Sequence, residues 1–142
     1  MSIQFDKVQP KNKIQLKQLV DYAFKHNIYD LNFIDTSEIT DMSLLFSNRM
    51  HNFDVSSWDV SNVTNMGYIF YHCKNFNCDL SNWDVSKVKN MNYMFYNCKN
   101  FNCDLSDWDI SNITRWKNVF CECDKMTIPN WYKKLYIIKN KI

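Results

Sequence analysis

Hydrophobic and polar positions recur along most of the chain with a period of 25 residues. Two aromatic sets keep this step, namely Trp58, Trp83, Trp108 and Phe70, Phe95, Phe120. A further copy lies upstream at residues 35–46, one residue short of the step. Fixed periods between about 20 and 50 residues are typical of stacked repeats, and propeller blades need about 40 or more. The period therefore predicts a solenoid.

The pattern inside one copy changes from a period of two to a helical period. Phe76, Cys78 and Leu80 alternate with polar residues, which predicts a short strand, and Trp83 with Val85 predicts a second one. Apolar residues then follow at helical spacings. We expect an α/β, leucine-rich-repeat-like solenoid of about four 25-residue rungs, each with short strands and a short helix. A mainly-β solenoid is the alternative. The expected inward residues are Phe76, Cys78, Leu80, Trp83, Val85, Val88, Met91, Phe95 and Cys98.

Both ends of the chain carry a helical pattern that suits a cap. Near the N-terminus, apolar residues recur at i, i+3, i+4, i+7 and i+8 from Leu16 to Phe24, and Asn12 is the expected N-cap. Residues 129–138 form the expected closing helix, with Trp131, Leu135 and Ile138 on one face. We predict one domain over residues 1–142, in which 1–30 and 125–142 cap the repeats of 31–124.

Charge is distributed unevenly along the chain. Residues 1–27 hold five Lys and two Asp, and residues 125–142 hold five Lys and no acid. Residues 28–124 hold seven Lys or Arg against thirteen acids, a net charge of −6. This acidic middle argues against nucleic-acid binding along the repeats. No segment is apolar enough to predict a membrane span, and the N-terminal residues lack the apolar core of a signal peptide. By sequence alone, a cytoplasmic location is expected.

Cysteines and aspartates supply the candidate chemistry. Five of the six cysteines recur at repeat positions, and the spacings are not those of zinc pairs, so we interpret the six as buried structural thiols, with metal or redox use as the alternative. Asp54, Asp79 and Asp104 form one aspartate column along the repeats. These carboxylates can accept backbone N–H bonds at local turns, whereas the alternative is a bound Ca²⁺ between rungs.

Tyrosines are the best candidates for contact with a partner. Tyr68 and Tyr71 recur as Tyr93 and Tyr96, on predicted helix positions beside the inward Met and Phe. Tyrosine is enriched at interfaces because it offers contact area and a polar tip. The alternative is that these rings pack over neighbouring helices. Trp58, Trp83 and Trp108 alternate with inward residues, so we assign them to the core.

The repeat resembles that of the BspA-like leucine-rich-repeat family, including the branch catalogued as a mycoplasma-lipoprotein domain of unknown function. The resemblance rests on Trp-Asp-Val-Ser-Asn-Val-Thr-Asn-Met from Trp58, with the spine Val63, Met66, Phe70 and Cys73, and it covers roughly residues 31–124. It implies a right-handed solenoid and a surface or secreted protein that binds other proteins or host components. It supplies no catalytic residues.

Together these features predict a non-catalytic module for protein–protein interaction, with an unidentified protein partner and no cofactor, metal or nucleic acid. The expected contact residues are Tyr68, Tyr71, Tyr93, Tyr96, Asp54, Asp79 and Asp104. A structural protein that assembles with itself is the first alternative, and an enzyme with an unrecognised site is the second.

Overall fold

Regular secondary structure is confined to the two ends of the chain. The computed structural model describes residues 6–141. Over this range the helices are α1, Lys13–Lys25, and α2, Asn130–Lys141, and no β-strand is present. Neighbouring segments meet instead at isolated parallel bridges, such as Asn65 with Asn90 and Asn90 with Arg115. The predicted α/β leucine-rich-repeat-like solenoid is therefore wrong, and so is the mainly-β alternative.

Consecutive tight turns take the place of the predicted strands and helices. The Trp83 N–H donates to the Leu80 carbonyl at 3.1 Å, and the Met94 N–H donates to the Met91 carbonyl at 3.1 Å. Many of these turns, including these two, close between residues that are three apart and both buried. A row of these turns produces the apolar spacing of three that we interpreted as helical.

Left-handed backbone explains why no helix forms inside the copies. Two positions in each copy, four residues apart, have positive φ, and a right-handed helix cannot contain them. The first position is occupied by Leu44, Tyr68, Tyr93 and Asn118, with φ of 63°, 58°, 55° and 51°. The second is occupied by Asn48, His72, Asn97 and Glu122, with φ of 64°, 60°, 59° and 60°.

Four segments of the chain join successive copies by backbone hydrogen bonds that run toward the next copy, whereas Thr64, Lys89 and Thr114 just before three of these segments donate to the preceding copy. We call residues 42–48, 66–72, 91–97 and 116–122 the stacking segments. In the second segment, alternate N–H groups, those of Met66, Tyr68, Phe70 and His72, donate to carbonyls of the next copy at 2.8–3.0 Å. The corresponding N–H groups of segments 42–48 and 91–97 do the same. Each N–H therefore points toward the C-terminal end of the molecule.

The core confirms the predicted inward residues. All nine are buried, with 7% or less of their surface exposed. Phenylalanines of successive copies stack into a column through the core, with ring centroids 5.7, 5.4 and 5.6 Å apart from Phe46 through Phe70 and Phe95 to Phe120. The assignment of Trp58, Trp83 and Trp108 to the core is also confirmed.

Both predicted terminal helices form. The Asn12 side chain caps α1 by accepting the Gln15 N–H at 2.9 Å, and Ala23 near its other end accepts the Ile28 N–H at 2.8 Å. Leu16, Val20 and Ala23 of α1 are fully buried. In contrast, α2 has no buried residue, and Ile138 of its predicted inner face is 56% exposed. The division into one domain with two caps stays a prediction, and residues 1–5 and 142 lie outside the described residues.

Candidate functional site

The four predicted tyrosines lie together on one side of the molecule. Tyr68 stacks on Tyr93 with ring centroids 4.9 Å apart, and Tyr71 stacks on Tyr96 at 5.3 Å. Within each copy, the two rings approach to 5.4 Å and 5.7 Å. All four side chains are partly buried. We call this two-by-two array the tyrosine surface; it is built on turns and not on helices as predicted.

Two of these tyrosines occupy left-handed backbone. The φ angles of Tyr68 and Tyr93 are 58° and 55°, a region that costs a bulky residue about 1–2 kcal/mol. Asparagine tolerates this conformation better, and Asn118 holds the same position in the last copy. The chain therefore places aromatic rings at two positions where the backbone favours a smaller residue.

The polar groups of the tyrosine surface are only partly engaged. The Tyr96 hydroxyl donates to a Glu122 carboxylate oxygen at 3.1 Å, and this bond, together with the nearby charge, raises the pKa of Tyr96. Within residues 6–141, the hydroxyls of Tyr68, Tyr71 and Tyr93 form no hydrogen bond. These three hydroxyls are therefore available to groups from outside.

Three neighbours of the tyrosines were missed by sequence reasoning. The Lys117 ammonium lies 5.8 Å from the centre of the Tyr93 ring, and Glu122 accepts from Tyr96. The His72 ring lies 4.2 Å from that of Tyr71. Lys117 and Glu122 are each about one repeat step beyond the tyrosine that they contact, so the period of 25 could have indicated them.

The aspartate column lies along an open groove. Asp54 and Asp79 line one part of it, with a volume of about 420 Å³, and Asp79 and Asp104 line the next, with about 410 Å³. The sequence prediction that these acids bind their own turns is confirmed, because each accepts the N–H of the serine two residues later at 2.9 Å. The serine bonds lower the pKa of Asp79 and Asp104. Contact of this column with a partner stays a prediction.

The cysteines form a second internal ladder. All six are free, and three donate to backbone carbonyls one copy earlier: Cys73 to Phe46, Cys98 to Phe70 and Cys123 to Phe95, at 2.8–3.0 Å. Burial raises the pKa of Cys73 to about 12. These three thiols contribute to packing between copies, as the interpretation of structural thiols requires, whereas Cys121 is exposed and the prediction of a buried thiol is wrong for it. Residues 6–141 contain no group of three or more His, Cys, Asp or Glu residues arranged to hold a metal ion.

Comparison with known proteins places the chain in one protein family. The family model described as "Mycoplasma protein of unknown function, DUF285" matches residues 14–131, and the chain belongs to this family. No curated protein and no solved structure matches the chain. Within the described residues, no helix is long and apolar enough to span a membrane.

Proposed function

We propose that the chain is a non-catalytic module that binds a protein partner through the tyrosine surface. The observation that carries this proposal is the left-handed backbone of Tyr68 and Tyr93. Strained residues persist where the surrounding structure holds them in place, and they are concentrated at functional sites. Here the strain presents two stacked rings that are open to solvent on one side.

The chemistry of the tyrosine surface supports a protein partner. Tyrosine rings supply contact area at low cost in side-chain entropy, and their hydroxyls supply hydrogen bonds at the rim of an interface. Three hydroxyls are free within the described residues, while Lys117 and Glu122 offer one charge of each sign beside the rings. The resemblance of the repeat to BspA-like surface proteins supports a partner met at a cell surface or in a host.

The test replaces Tyr68 and Tyr93 by asparagine, because Asn118 occupies the same position in the last copy. In a Tyr68→Asn/Tyr93→Asn variant, relief of about 1 kcal/mol of backbone strain offsets the loss of about 0.5–1.5 kcal/mol of ring stacking. We therefore expect nearly unchanged melting and loss of the partner in affinity capture from cells of the source organism and its host, quantified by mass spectrometry.

Leu44→Asn is the matched control, because Leu44 has φ of 63° at the same position of a copy without tyrosines. It should capture the partner as the unaltered protein does. Retention of the partner by the double tyrosine variant would contradict the proposal, as would the absence of any partner in all three captures. Light scattering on the same samples tests self-assembly, which would appear as a mass that rises with concentration.

A further inference from the structure

Helix α2 exposes three consecutive large hydrophobic side chains. Tyr136, Ile137 and Ile138 are each more than half exposed, and no other segment of the described chain exposes three such residues in a row. At the start of the same helix, the Trp131 ring packs against Phe120 of the last copy. The helix is therefore attached to the last copy near its beginning, while its second half keeps an apolar surface in water, which is a feature of interaction sites.

Lysines flank the exposed isoleucines. Helix α2 contains no acidic residue and four lysines, namely Lys133, Lys134, Lys139 and Lys141. Lys134 lies one helical turn before the two isoleucines, and Lys141 lies one turn after them. Ile138 and Lys139 also line a cleft of about 510 Å³ together with Arg115. Apolar and basic groups therefore share one surface, and we call Lys134, Ile137, Ile138 and Lys141 the α2 surface.

The lysines of α2 have no local partner, in contrast to those at the other end of the molecule. There, three lysines form ion pairs: Lys11 with Glu38, Lys13 with Asp41 and Lys17 with Asp21. No lysine of α2 forms an ion pair within the described residues. The first turn of α2 contains no acid and is followed directly by two lysines, an arrangement that the helix dipole does not favour. Local stability therefore does not account for these charges.

Charge in the whole molecule is polarised toward α2. Residues 115–141 hold seven Lys or Arg and two acids, a net charge of +5. Residues 28–114 hold five Lys or Arg and eleven acids, a net charge of −6. A negatively charged surface attracts the first part and repels the second. Such a surface would therefore orient the molecule with α2 toward it.

Exposed isoleucine beside unpaired lysine indicates the chemistry of that surface. A nucleic acid or a soluble phosphate would bind the lysines but would leave Ile137 and Ile138 in water. In the headgroup region of an anionic membrane, lysines meet phosphates while apolar side chains of the same helix enter the boundary with the acyl chains. Twelve residues are too few to cross the hydrocarbon core, so α2 would lie on the membrane.

We propose that α2 docks the molecule on an anionic lipid surface. Ile137 and Ile138 enter the boundary between headgroups and acyl chains, and Lys134 and Lys141 bind lipid phosphates on either side of them. Arg115 at the cleft adds a further cation near the headgroups. The proposal does not depend on the function proposed for the tyrosine surface.

The test is co-sedimentation of the full chain with vesicles of phosphatidylcholine and phosphatidylglycerol in equal amounts, and with vesicles of phosphatidylcholine alone. At about 0.15 M salt we expect binding to the mixed vesicles only, and higher salt should weaken it by screening the lysines. Lys134→Glu/Lys141→Glu should weaken binding by at least about tenfold, because each lysine near an anionic surface adds to the affinity. Ile137→Ser should weaken it by about threefold or more, because less apolar area is buried.

Matched controls change the same residue types at exposed positions of α1 and the repeats. Lys25→Glu/Lys74→Glu makes the same charge change, and Ile14→Ser removes an exposed isoleucine of α1. Both should bind the mixed vesicles as the unaltered protein does, and so should Tyr68→Asn/Tyr93→Asn. Thermal melting checks that each variant is folded. The charge variant and the isoleucine variant test the proposal separately, so the loss of one to misfolding leaves the other.

Equal binding to vesicles of phosphatidylcholine alone would overturn the proposal, as would equal losses in the variants and their controls. Release of the protein from mixed vesicles by inorganic phosphate would indicate an anion site only. Release by soluble polyglutamate at the same concentration of negative charge would indicate an acidic protein partner. Either release would overturn a lipid surface as the ligand.

Discussion

At the scale of single residues, a ladder of indole hydrogen bonds ties each copy to the one before it. The indole N–H of Trp58 donates to Leu31, that of Trp83 to Val55 and that of Trp108 to Leu80, at 2.9–3.1 Å. Trp131 of α2 adds a further bond of this kind to Leu105, at 2.8 Å. The tryptophans are therefore core residues that also form hydrogen bonds between copies. An indole hydrogen bond of the same kind attaches α2 to the last copy.

Trp83→Phe should remove one of these bonds and leave a smaller ring in the core. We expect the free energy of unfolding to fall by about 1–3 kcal/mol, from the lost hydrogen bond and the incompletely filled space. Urea unfolding measures this change. Trp116→Phe is the control, because the Trp116 indole forms no hydrogen bond within the described residues and should change stability by about 0.5 kcal/mol or less. Equal losses in both variants would show that the indole bond contributes nothing.

Burial could be predicted from the sequence more completely than bonding. The period placed Trp83 and Met91 in the core because apolar residues recur at fixed positions, and both are buried. The acceptor of the Trp83 indole could not be predicted, since it depends on how adjacent copies are offset. Met94, also fully buried, was missing from the predicted inward set although its spacing of three from Met91 fits that set.

At the scale of elements, the misleading signal was the apolar spacing of three and four. This spacing is shared by a helix and by consecutive tight turns whose corner residues are buried. Asparagine at Asn48, Asn97 and Asn118 was the available indication of left-handed backbone. Tyr93 and Glu122 have the same backbone without any preference for it, so the sequence of a single copy does not reveal the pattern.

The hydrogen bonds between aspartates and the serines two residues later predict that the free energy of unfolding depends on pH. Serine bonds lower the pKa of Asp79, Asp84, Asp104 and Asp109 in the folded chain below the ordinary value of 3.8. The folded state therefore binds protons less readily than the unfolded state, and the stability gained above this value is lost as the pH falls below it and through the lower pKa of the folded state. The fourfold Asp→Asn variant keeps an oxygen acceptor at each turn but removes the titration, so its stability should fall less between pH 7 and pH 3.

Urea unfolding at the two pH values measures this difference. Asp107→Asn is the control, because the Asp107 side chain forms no hydrogen bond or ion pair within the described residues. Its loss of stability on acidification should equal that of the unaltered protein. An unchanged acid response in the fourfold variant would mean that the serine bonds do not account for the pH dependence.

At the scale of the whole molecule, the copies form a stack with unlike ends. Every second peptide group of the stacking segments directs its N–H toward the C-terminal end, so these N–H groups of the last segment have no next copy to donate to. At the first end, α1 buries Leu16, Val20 and Ala23 over the core. At the other, Trp131 and Tyr132 of α2 pack against Phe120. The repeat period and the two terminal helices could be predicted, but the direction of the bonds could not, because it follows from backbone angles.

Amide hydrogen exchange, followed residue by residue by NMR, tests this arrangement most directly. The account predicts that Met66, Tyr68, Met91 and Tyr93, which donate to the next copy, exchange at least about 100-fold more slowly than Trp116, Asn118 and Glu122 of the last stacking segment. Fast exchange at the first group would contradict the account, because the copies would then not be held together by these bonds. Slow exchange at Trp116, Asn118 and Glu122 would contradict it equally, because those N–H groups would then already have acceptors.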